Sequence, residues 1–295
     1  MELRWTEIAS ALTGLAMTDQ PNRGRVKQLL ALRLRLHRLK PSRPIRDARV
    51  ALAFIKDWRI VLSTGHSSLP SLAEAIAGRQ LRGSWMANPE VFGIYKILGT
   101  VSRSAAVLSA PLVLGKETFL DASLAPAVAR IAGDATRRSA CSVSLPPLAK
   151  RLLTDVEAHG EIRMDRWSAS TPRGRKARLA LERLLMAVSR DLHTEAGYHT
   201  AVVTPWRKSR IAMRFGKAAH RLGFEEAQGQ LVLAAVGSAV IAPEREVRRW
   251  FVFGAKPIEE LVNEGKLRRL SAGGVSWLAL AIVSSRAPQG RGDRP

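Results

Sequence analysis

One order of predicted elements, a helix, a short strand, two helices and a β-hairpin, occurs twice in the second half of the chain. Apolar periodicity and turn residues place the first helix of the first copy at 148–158 and its short strand at 161–163. The second helix begins near residue 165, the third covers 176–189, and the hairpin strands are 191–194 and 198–203. In the second copy the helices are predicted at 225–238, 243–253 and 257–263, the short strand at 240–241, and the hairpin strands at 266–270 and 275–280. Glycine lies in both hairpin turns, at Gly197 and Gly273, as tight turns between paired strands favour. This order is that of a winged helix, and two copies with unrelated residues indicate tandem modules.

Changes in composition divide the rest of the chain. The predicted units are an N-terminal domain of mixed, winged-helix-like structure at 1–135, a winged-helix module at 148–206, a basic connecting helix at 207–223, a C-terminal winged-helix module at 224–285 and a disordered tail at 286–295. The small, polar segment 132–147 is predicted as a linker. In the run Leu29–Lys40 leucines alternate with arginines, so a helix and a strand fit equally well. The predicted fold class is mostly α, within α+β, with tandem winged-helix (winged helix-turn-helix) modules and short β-hairpin wings.

Composition fixes the broad class of protein. Of the 295 residues 46% are hydrophobic, enough to bury a core, and 47 Lys and Arg against 25 Asp and Glu give a net charge of +22. The single cysteine, Cys141, excludes a disulfide framework and a cysteine-rich zinc site. The N-terminus lacks a signal-peptide pattern, and no apolar run is long enough to span a membrane. We therefore expect a reduced, cytoplasmic protein.

Such a positive charge predicts attraction to a polyanion, for which nucleic acids come first and anionic membrane surfaces second. An arginine-rich composition imposed by a high-GC genome is the alternative explanation, and the positions of the charges distinguish the two. The clearest pattern is a row of cations at i, i+3, i+7, i+10 and i+14 with apolar residues opposite. The cations are Arg207, Arg210, Arg214, Lys217 and Arg221, with Lys208 beside them, and the apolar residues are Ile211, Phe215, Ala218 and Leu222.

Like charges at this spacing repel one another within a helix, so the row predicts that the helix presents them to an anion. A phosphate backbone fits this helix better than a lipid surface, because its apolar side is small and rich in alanine.

The module at 148–206 carries a second group of cations. A winged helix usually places its third helix in the major groove, where exposed cations reach base edges and phosphates. The predicted buried stripe of that helix is Ala177, Leu181, Leu184 and Val188. The predicted DNA contacts are Arg173, Arg175, Lys176, Arg178 and Arg183 on the helix, and His193, Tyr198 and His199 on the wing. Solvated surface charges without a ligand are the alternative interpretation.

The last module has the opposite charge on its third helix. Glu259, Glu260 and Glu264 face solvent there and would repel phosphate, while its cations are predicted on its second helix and first wing strand. Those cations are Arg245, Arg248, Arg249, Lys266, Arg268 and Arg269. We therefore expect this module to dock on the module at 148–206 or to contact only the DNA backbone.

Several short segments carry a resemblance to a known family. They are 69–78 (LPSLAEAIAG), 115–118 (GKET), 124–126 (LAP), 193–199 (HTEAGYH) and Pro205-Trp206. On these segments, which span about residues 50–206, the chain resembles the winged-helix proteins related to the bacterial AlkZ (YcaQ) alkylation-repair DNA glycosylases. The resemblance implies tandem winged helices around a DNA-binding cleft and a bacterial protein associated with the nucleoid when DNA-bound. In the glycosylases themselves it implies excision of alkylated or cross-linked bases.

The resemblance leaves the catalytic residues unassigned. Those glycosylases position the hydrolytic water with a Gln-x-Gln or similar polar pair in the N-terminal part of the fold, whereas Gln20, Gln28 and Gln80 are isolated here. The pair Gln228 and Gln230 lies on a predicted helix, where residues two apart point to different sides. The sequence therefore leaves open whether the chain is an enzyme; an active one would be a monofunctional DNA glycosylase.

Other chemistry is not indicated. The six histidines are scattered without carboxylates at ligand spacing, so no metal is expected. No Gly-x-Gly-x-x-Gly or phosphate-loop pattern occurs, so no cofactor is expected. The predicted partner is double-stranded DNA, without a membrane, and the oligomeric state stays open. The predicted function is duplex DNA binding by winged helices, largely through phosphate contacts; the alternative is a DNA-repair glycosylase of the AlkZ-like group.

Overall fold

The computed structural model describes residues 22–39, 44–65, 67–167, 172–195, 197 and 199–281. The predicted tail at 286–295 and Tyr198 of the predicted wing lie outside this part of the chain. Helices and three small antiparallel sheets make up the described residues, so the α+β class is confirmed. None of the described helices is both long enough and apolar enough to cross a membrane.

Three groups of elements follow a similar order along the chain, and in the described residues the middle group has one helix between its short strand and its hairpin where the other two have two. The N-terminal module follows helix α1 (Asn22–Leu36) and consists of α2 (Ala48–Trp58), β1 (Ile60–Leu62), α3 (Leu72–Ala77), α4 (Val91–Ser102), β2 (Val107–Val113) and β3 (Lys116–Asp121). Two helices then follow, α5 (Ala125–Gly133) and α6 (Ala135–Ser144). The middle module consists of α7 (Pro147–His159), β4 (Ile162–Arg163), α8 (Pro172–Arg183), β5 (Ala187–His193) and β6 (His199–Pro205). After α9 (Arg210–Ala219), the C-terminal module consists of α10 (Phe224–Ala239), β7 (Ala242–Pro243), α11 (Glu244–Trp250), α12 (Lys256–Asn263), β8 (Leu267–Ala272) and β9 (Val275–Leu280).

The strands pair in the same way in all three modules. The short first strand pairs with the last strand of the hairpin, giving the antiparallel orders β1-β3-β2, β4-β6-β5 and β7-β9-β8. Together with the helices between them, this strand order is compatible with the predicted winged-helix modules. The N-terminal module has the same strand order, in the segment where mixed, winged-helix-like structure was predicted. The exact domain boundaries stay a prediction.

The N-terminal hairpin was not predicted because its turn lacks the usual residues. Leu114 and Gly115 form a two-residue turn with φ of 55° and 69°, and Val113 pairs with Lys116 across it. Two positive φ angles are typical of the type I′ turn, whose first position favours Asn, Asp or Gly over Leu. In the ambiguous run Leu29–Lys40, the structure is helical as far as Leu36.

The segment 132–147, predicted as a linker, is largely helical in the structure. Helix α5 ends at Gly133, and Asp134 begins the next helix by accepting a hydrogen bond from the Arg137 backbone nitrogen at 2.9 Å. An aspartate in this position satisfies a helix N–H group that would otherwise lack a partner. Helix α6 therefore fills the segment, and the guanidinium of Arg137 donates to the carbonyl of Leu184 in the middle module.

Helix α8 begins earlier and ends earlier than predicted. It begins at Pro172, a residue favoured in the first turn of a helix, and it ends at Arg183. Leu185 then adopts a left-handed φ of 51°, and the Met186 nitrogen donates to the Leu181 carbonyl at 2.9 Å. These two features make a Schellman cap, which usually uses glycine and so gave no signal in the sequence. Val188 consequently lies in β5 rather than in the buried stripe of the helix.

The C-terminal module packs against the N-terminal module, a contact absent from the prediction that it docks on the module at 148–206 or contacts only the DNA backbone. A shared hydrophobic cluster includes Trp58, Val61 and Ile241, whereas the middle module has a cluster of its own. The hydroxyl of Ser238 on α10 donates to the Trp58 carbonyl. The Leu114 nitrogen donates to the carbonyl of Trp250 at 2.9 Å. The two outer modules of the chain are thus joined by both apolar and polar contacts.

A half-buried carboxylate reinforces this junction. Glu246 on α11 accepts hydrogen bonds from the hydroxyl of Ser67 at 2.8 Å, from the nitrogen and hydroxyl of Ser68 at 2.7 Å each, and from the Trp250 indole at 3.2 Å. Burial by itself raises the pKa of Glu246, but these hydrogen bonds outweigh burial and leave the pKa below its usual value. The carboxylate therefore stays ionised and holds the loop after β1 against α11.

We expect Glu246→Ala to lower the free energy of unfolding by about 2 kcal/mol, because several buried donors lose a charged acceptor at once. Urea unfolding followed by circular dichroism measures this change. Glu225→Ala is the matched control, since its side chain is 60% exposed and is expected to change stability little. Equal stability of the two variants would contradict the role assigned to Glu246.

Candidate nucleic-acid interface

Helix α9 presents a row of cations. Ser209 caps the helix by accepting a hydrogen bond from the Ala212 nitrogen at 3.1 Å. Arg210, Arg214 and Lys217 follow at i, i+4 and i+7, on one face, and all three are exposed. On the other side Ile211 and Ala219 are buried, Phe215 is half-buried, and the helix packs against α5.

The row is shorter than predicted. Arg207 lies on a separate 3-10 turn, where its guanidinium forms an ion pair with Glu157 at 2.8 Å, and the Lys208 side chain lies over Gly160. Arg221 follows the end of the helix and is exposed. The predicted row began at Arg207, but Ser209 caps the helix and so separates the turn that holds Arg207 from α9.

One residue of the predicted apolar side is also misplaced. Ala218 is exposed, and Ala219 takes the buried position instead, while Leu222 is half-buried. The Arg130 guanidinium of α5 donates to the Leu222 carbonyl at 3.0 Å and so fixes the segment after α9. The helix is therefore held on its apolar side and at its end, which leaves the cations facing outward.

The start of α8 carries a second exposed group. Arg173, Arg175 and Lys176 are exposed, as predicted for side chains that reach a ligand. Arg178 differs, because its guanidinium donates to Glu182 at 2.8 Å and to the Ser189 hydroxyl at 2.8 Å. It is held against the middle module by a carboxylate that is itself buried.

The remaining predicted contacts lie elsewhere. The Arg183 side chain packs on Gly115, so its stem belongs to the contact between the middle and N-terminal modules. His193 and His199 pair across the hairpin with ring centroids 3.8 Å apart, and both are exposed. These two residues form the last strand pair before the hairpin turn, and the predicted Tyr198 lies outside the described residues.

The sequence segments that carry the two groups of exposed cations lack acidic residues. None occurs between Asp165 and Glu182, or between Glu195 and Glu225. Among the described residues, Arg210 and Lys217 form no ion pair. Cations that lack acidic neighbours add their fields, so both helices carry positive potential toward solvent.

The C-terminal module, by contrast, neutralises its own cations. Glu244 accepts hydrogen bonds from Arg269 at 3.0 and 3.1 Å, from Arg248 at 3.1 Å and from the Ser276 hydroxyl at 2.7 Å. The guanidinium of Arg269 is the largest cause that lowers the pKa of Glu244 to about 2. Glu259 bonds to the same two arginines. This network leaves the module without a cationic row comparable to that of α9.

Tertiary packing adds a residue that the sequence analysis did not select. The guanidinium of Arg214 donates to the Ala105 carbonyl at 3.5 Å, which brings α9 next to the loop after α4. Arg103 is exposed in that loop. It is 111 positions away from Arg214 in the chain, and no local spacing could have linked the two.

Catalytic or metal-binding groups do not stand out among the described residues. Gln228 is buried, and the Gln230 amide donates to Glu226 at 3.3 Å, so this pair serves its own helix. No cluster of three or more metal-ligating side chains occurs in the described part of the chain.

The comparisons with known proteins give one structural likeness. No family model matches the chain, and no curated protein matches it. Among solved structures, the chain is similar to the Streptomyces sahachiroi DNA glycosylase AlkZ, with 13% sequence identity and a TM-score of 0.45. The match covers 86% of this chain and 69% of the AlkZ chain. The function has to be argued from the residues of this chain.

Proposed function

We propose that the chain binds double-stranded DNA, mainly through phosphate contacts from α9 and from the start of α8. The observation that carries the proposal is the outward row of Arg210, Arg214 and Lys217 on a helix whose other side is held in the protein. Cations one helical turn apart suit the phosphates of a duplex backbone, and they stabilise binding by releasing condensed counterions.

A lipid surface suits this helix less well. Binding in a bilayer interface requires an apolar helix face that can enter the acyl region. The apolar side of α9 packs on α5, and Met213 is the large apolar residue left exposed on the helix, at 70%. The cations therefore have a polar anion as their best ligand.

The test is a titration of a fluorescent duplex with the purified protein at several salt concentrations. The logarithm of the association constant is expected to fall with the logarithm of salt concentration by about 0.9 for each phosphate contact. A slope near zero would contradict the proposal. Vesicles of anionic lipid, tested in parallel, separate DNA binding from general attraction to anions.

Base excision is the alternative function, raised by the sequence resemblance. It is tested by incubating the protein with a duplex that carries an alkylated purine or an interstrand cross-link, with undamaged duplex alongside. Abasic sites, revealed by alkaline cleavage above the rate without protein, would establish a glycosylase. Binding without product would leave a DNA-binding protein that does not excise bases.

The exposed cations and the ion-paired arginine of α8 give a sharp contrast. We expect Arg175→Ala with Lys176→Ala to lower the salt slope by about 1.8, since each exposed cation contributes one contact. Arg178→Ala is expected to leave the slope unchanged and to lower the free energy of unfolding by about 1 to 2 kcal/mol, because Glu182 loses its partner. Anisotropy titrations and urea unfolding measure the two effects. A fall in slope for Arg178→Ala would show that Arg178 leaves Glu182 to bind DNA.

A further inference from the structure

Helix α4 leaves two aromatic rings in solvent. Phe92 is 85% exposed and Tyr95 is 61% exposed. Most aromatic side chains bury a large area on folding, and exposed ones in neighbouring positions mark a binding surface. The two are the exposed aromatic residues among the large hydrophobic side chains of the described chain.

The packing of α4 is complete without them. Ile94, Ile97, Leu98 and Val101 form its buried side. Phe92 and Tyr95, three residues apart, lie on the opposite side together with Lys96. The rings are thus not part of the core, and nothing in the described chain covers them.

Cations accompany the rings on this face. Lys96 follows Phe92 by four residues and so lies on the same side of the helix, and Arg103 is the residue that ends α4. The Arg103 guanidinium lies over Gly99, 3.6 Å from the position of an added Cβ, and Gly99 follows Phe92 by seven residues on the same face of α4. No acidic residue occurs between Glu90 and Glu117, and Glu90 is ion-paired with Arg79 at 2.8 Å.

This face continues into the cation row of α9. The contact between Arg214 and the Ala105 carbonyl joins α9 to the loop directly after α4. A polyanion that follows Arg210, Arg214 and Lys217 is thereby led toward Arg103 and the aromatic rings. The position also matches the role of α4 within its module, since it corresponds to α8 of the middle module.

We propose that Phe92 and Tyr95 form a stacking platform for unpaired nucleobases next to the duplex held by α9. The inference rests on the proposed DNA binding and adds the kind of DNA that binds best. Rings flanked by cations suit single-stranded nucleic acid, because bases stack on the rings while phosphates pair with the cations. An apolar protein partner would gain little from Lys96 and Arg103, whose charges complement a polyanion.

The experiment compares two fluorescent duplexes of equal length, one fully paired and one with a central run of unpaired thymidines. Wild-type protein is expected to bind the second at least about tenfold more tightly, since each stacked base contributes measurably to affinity. Phe92→Ala with Tyr95→Ala is expected to remove this preference and to leave binding of the paired duplex and its salt slope as in wild type. Val143→Ala, another exposed apolar residue at 74%, is the matched control.

Three results would overturn the proposal. They are equal affinity of the wild-type protein for both duplexes, an unchanged preference in the Phe92 and Tyr95 double variant, and loss of a wild-type dimer in that variant with the preference intact. The last would assign the face to a second copy of the chain. A failure of DNA binding itself is recognised separately, by a salt slope near zero on the paired duplex.

Discussion

Replacing Arg210, Arg214 and Lys217 by alanine is expected to weaken duplex DNA binding by two to three orders of magnitude at about 0.1 M salt. The salt slope is expected to fall by about 2.7, because three phosphate contacts of about 0.9 each are lost. All three side chains are exposed, so the variant is expected to keep its fold and its far-ultraviolet circular dichroism spectrum. Anisotropy titrations at four or more salt concentrations measure affinity and slope together.

The control for this variant removes the same charge from another place. Lys56, Arg245 and Arg249 are also exposed, on α2 and α11. Their triple alanine variant has the same net charge as the α9 variant, and it is expected to change the slope by less than one contact. If the two variants weaken binding equally, net charge rather than the α9 row controls the affinity, and the proposed interface is wrong.

The parts of this site that sequence reasoning could predict are those fixed by local spacing. Arg210, Arg214 and Lys217 share a helix face because of their spacing alone, and the structure places them so. Arg178 has the same residue type and a similar position on α8, yet it is held by Glu182 and Ser189. Whether an arginine of α8 is paired or exposed depends on its contact with the neighbouring strand β5, and local sequence spacing does not reveal such a tertiary contact.

The fold shows the same division. The hairpin of the C-terminal module was predicted because Gly273 and Gly274 adopt the positive φ angles of its turn. The hairpin of the N-terminal module was missed because a leucine adopts that conformation at Leu114. Leu185 ends α8 in the same way. Left-handed residues other than glycine are held by the surrounding packing, so local propensity does not reveal them.

The association of the outer modules was beyond prediction for a similar reason. It depends on a shared apolar cluster and on polar contacts between residues about 200 positions apart, such as the one between His37 and the Ser238 carbonyl. Helix α1 ends just before His37, and its ambiguous pattern of leucines and arginines did not even define a helix.

Acidification is expected to destabilise the protein through His37. The imidazole is 2% exposed, its Nε2 donates to the Ser238 carbonyl at 2.8 Å, and its ring meets the Trp58 ring edge-on with centroids 5.1 Å apart. Burial is the largest cause that lowers the pKa of His37 from 6.5 to about 3, and the nearby Arg33 adds to the effect. The folded protein therefore keeps the imidazole neutral at a pH where the unfolded chain protonates it.

The sign of the pH dependence follows from linkage. Below the unfolded pKa of 6.5 the unfolded state binds one more proton than the folded state, so stability falls as pH falls toward the folded pKa of about 3. The loss is about 1.4 kcal/mol for each pH unit, or about 2 kcal/mol between about pH 7 and pH 5. Above about pH 7 this histidine has no further effect.

Urea unfolding at several pH values between about 7 and 5 measures this loss. His37→Gln keeps an N–H donor for the Ser238 carbonyl but cannot take up a proton, so its stability is expected to change less with pH than that of the wild type. His220→Gln is the control, because this exposed imidazole meets water in both states and the variant is expected to keep the wild-type slope. A wild-type slope that survives in His37→Gln would place the acid sensitivity elsewhere, whereas its loss would show that the contact between α10 and the end of α1 holds only while His37 is neutral.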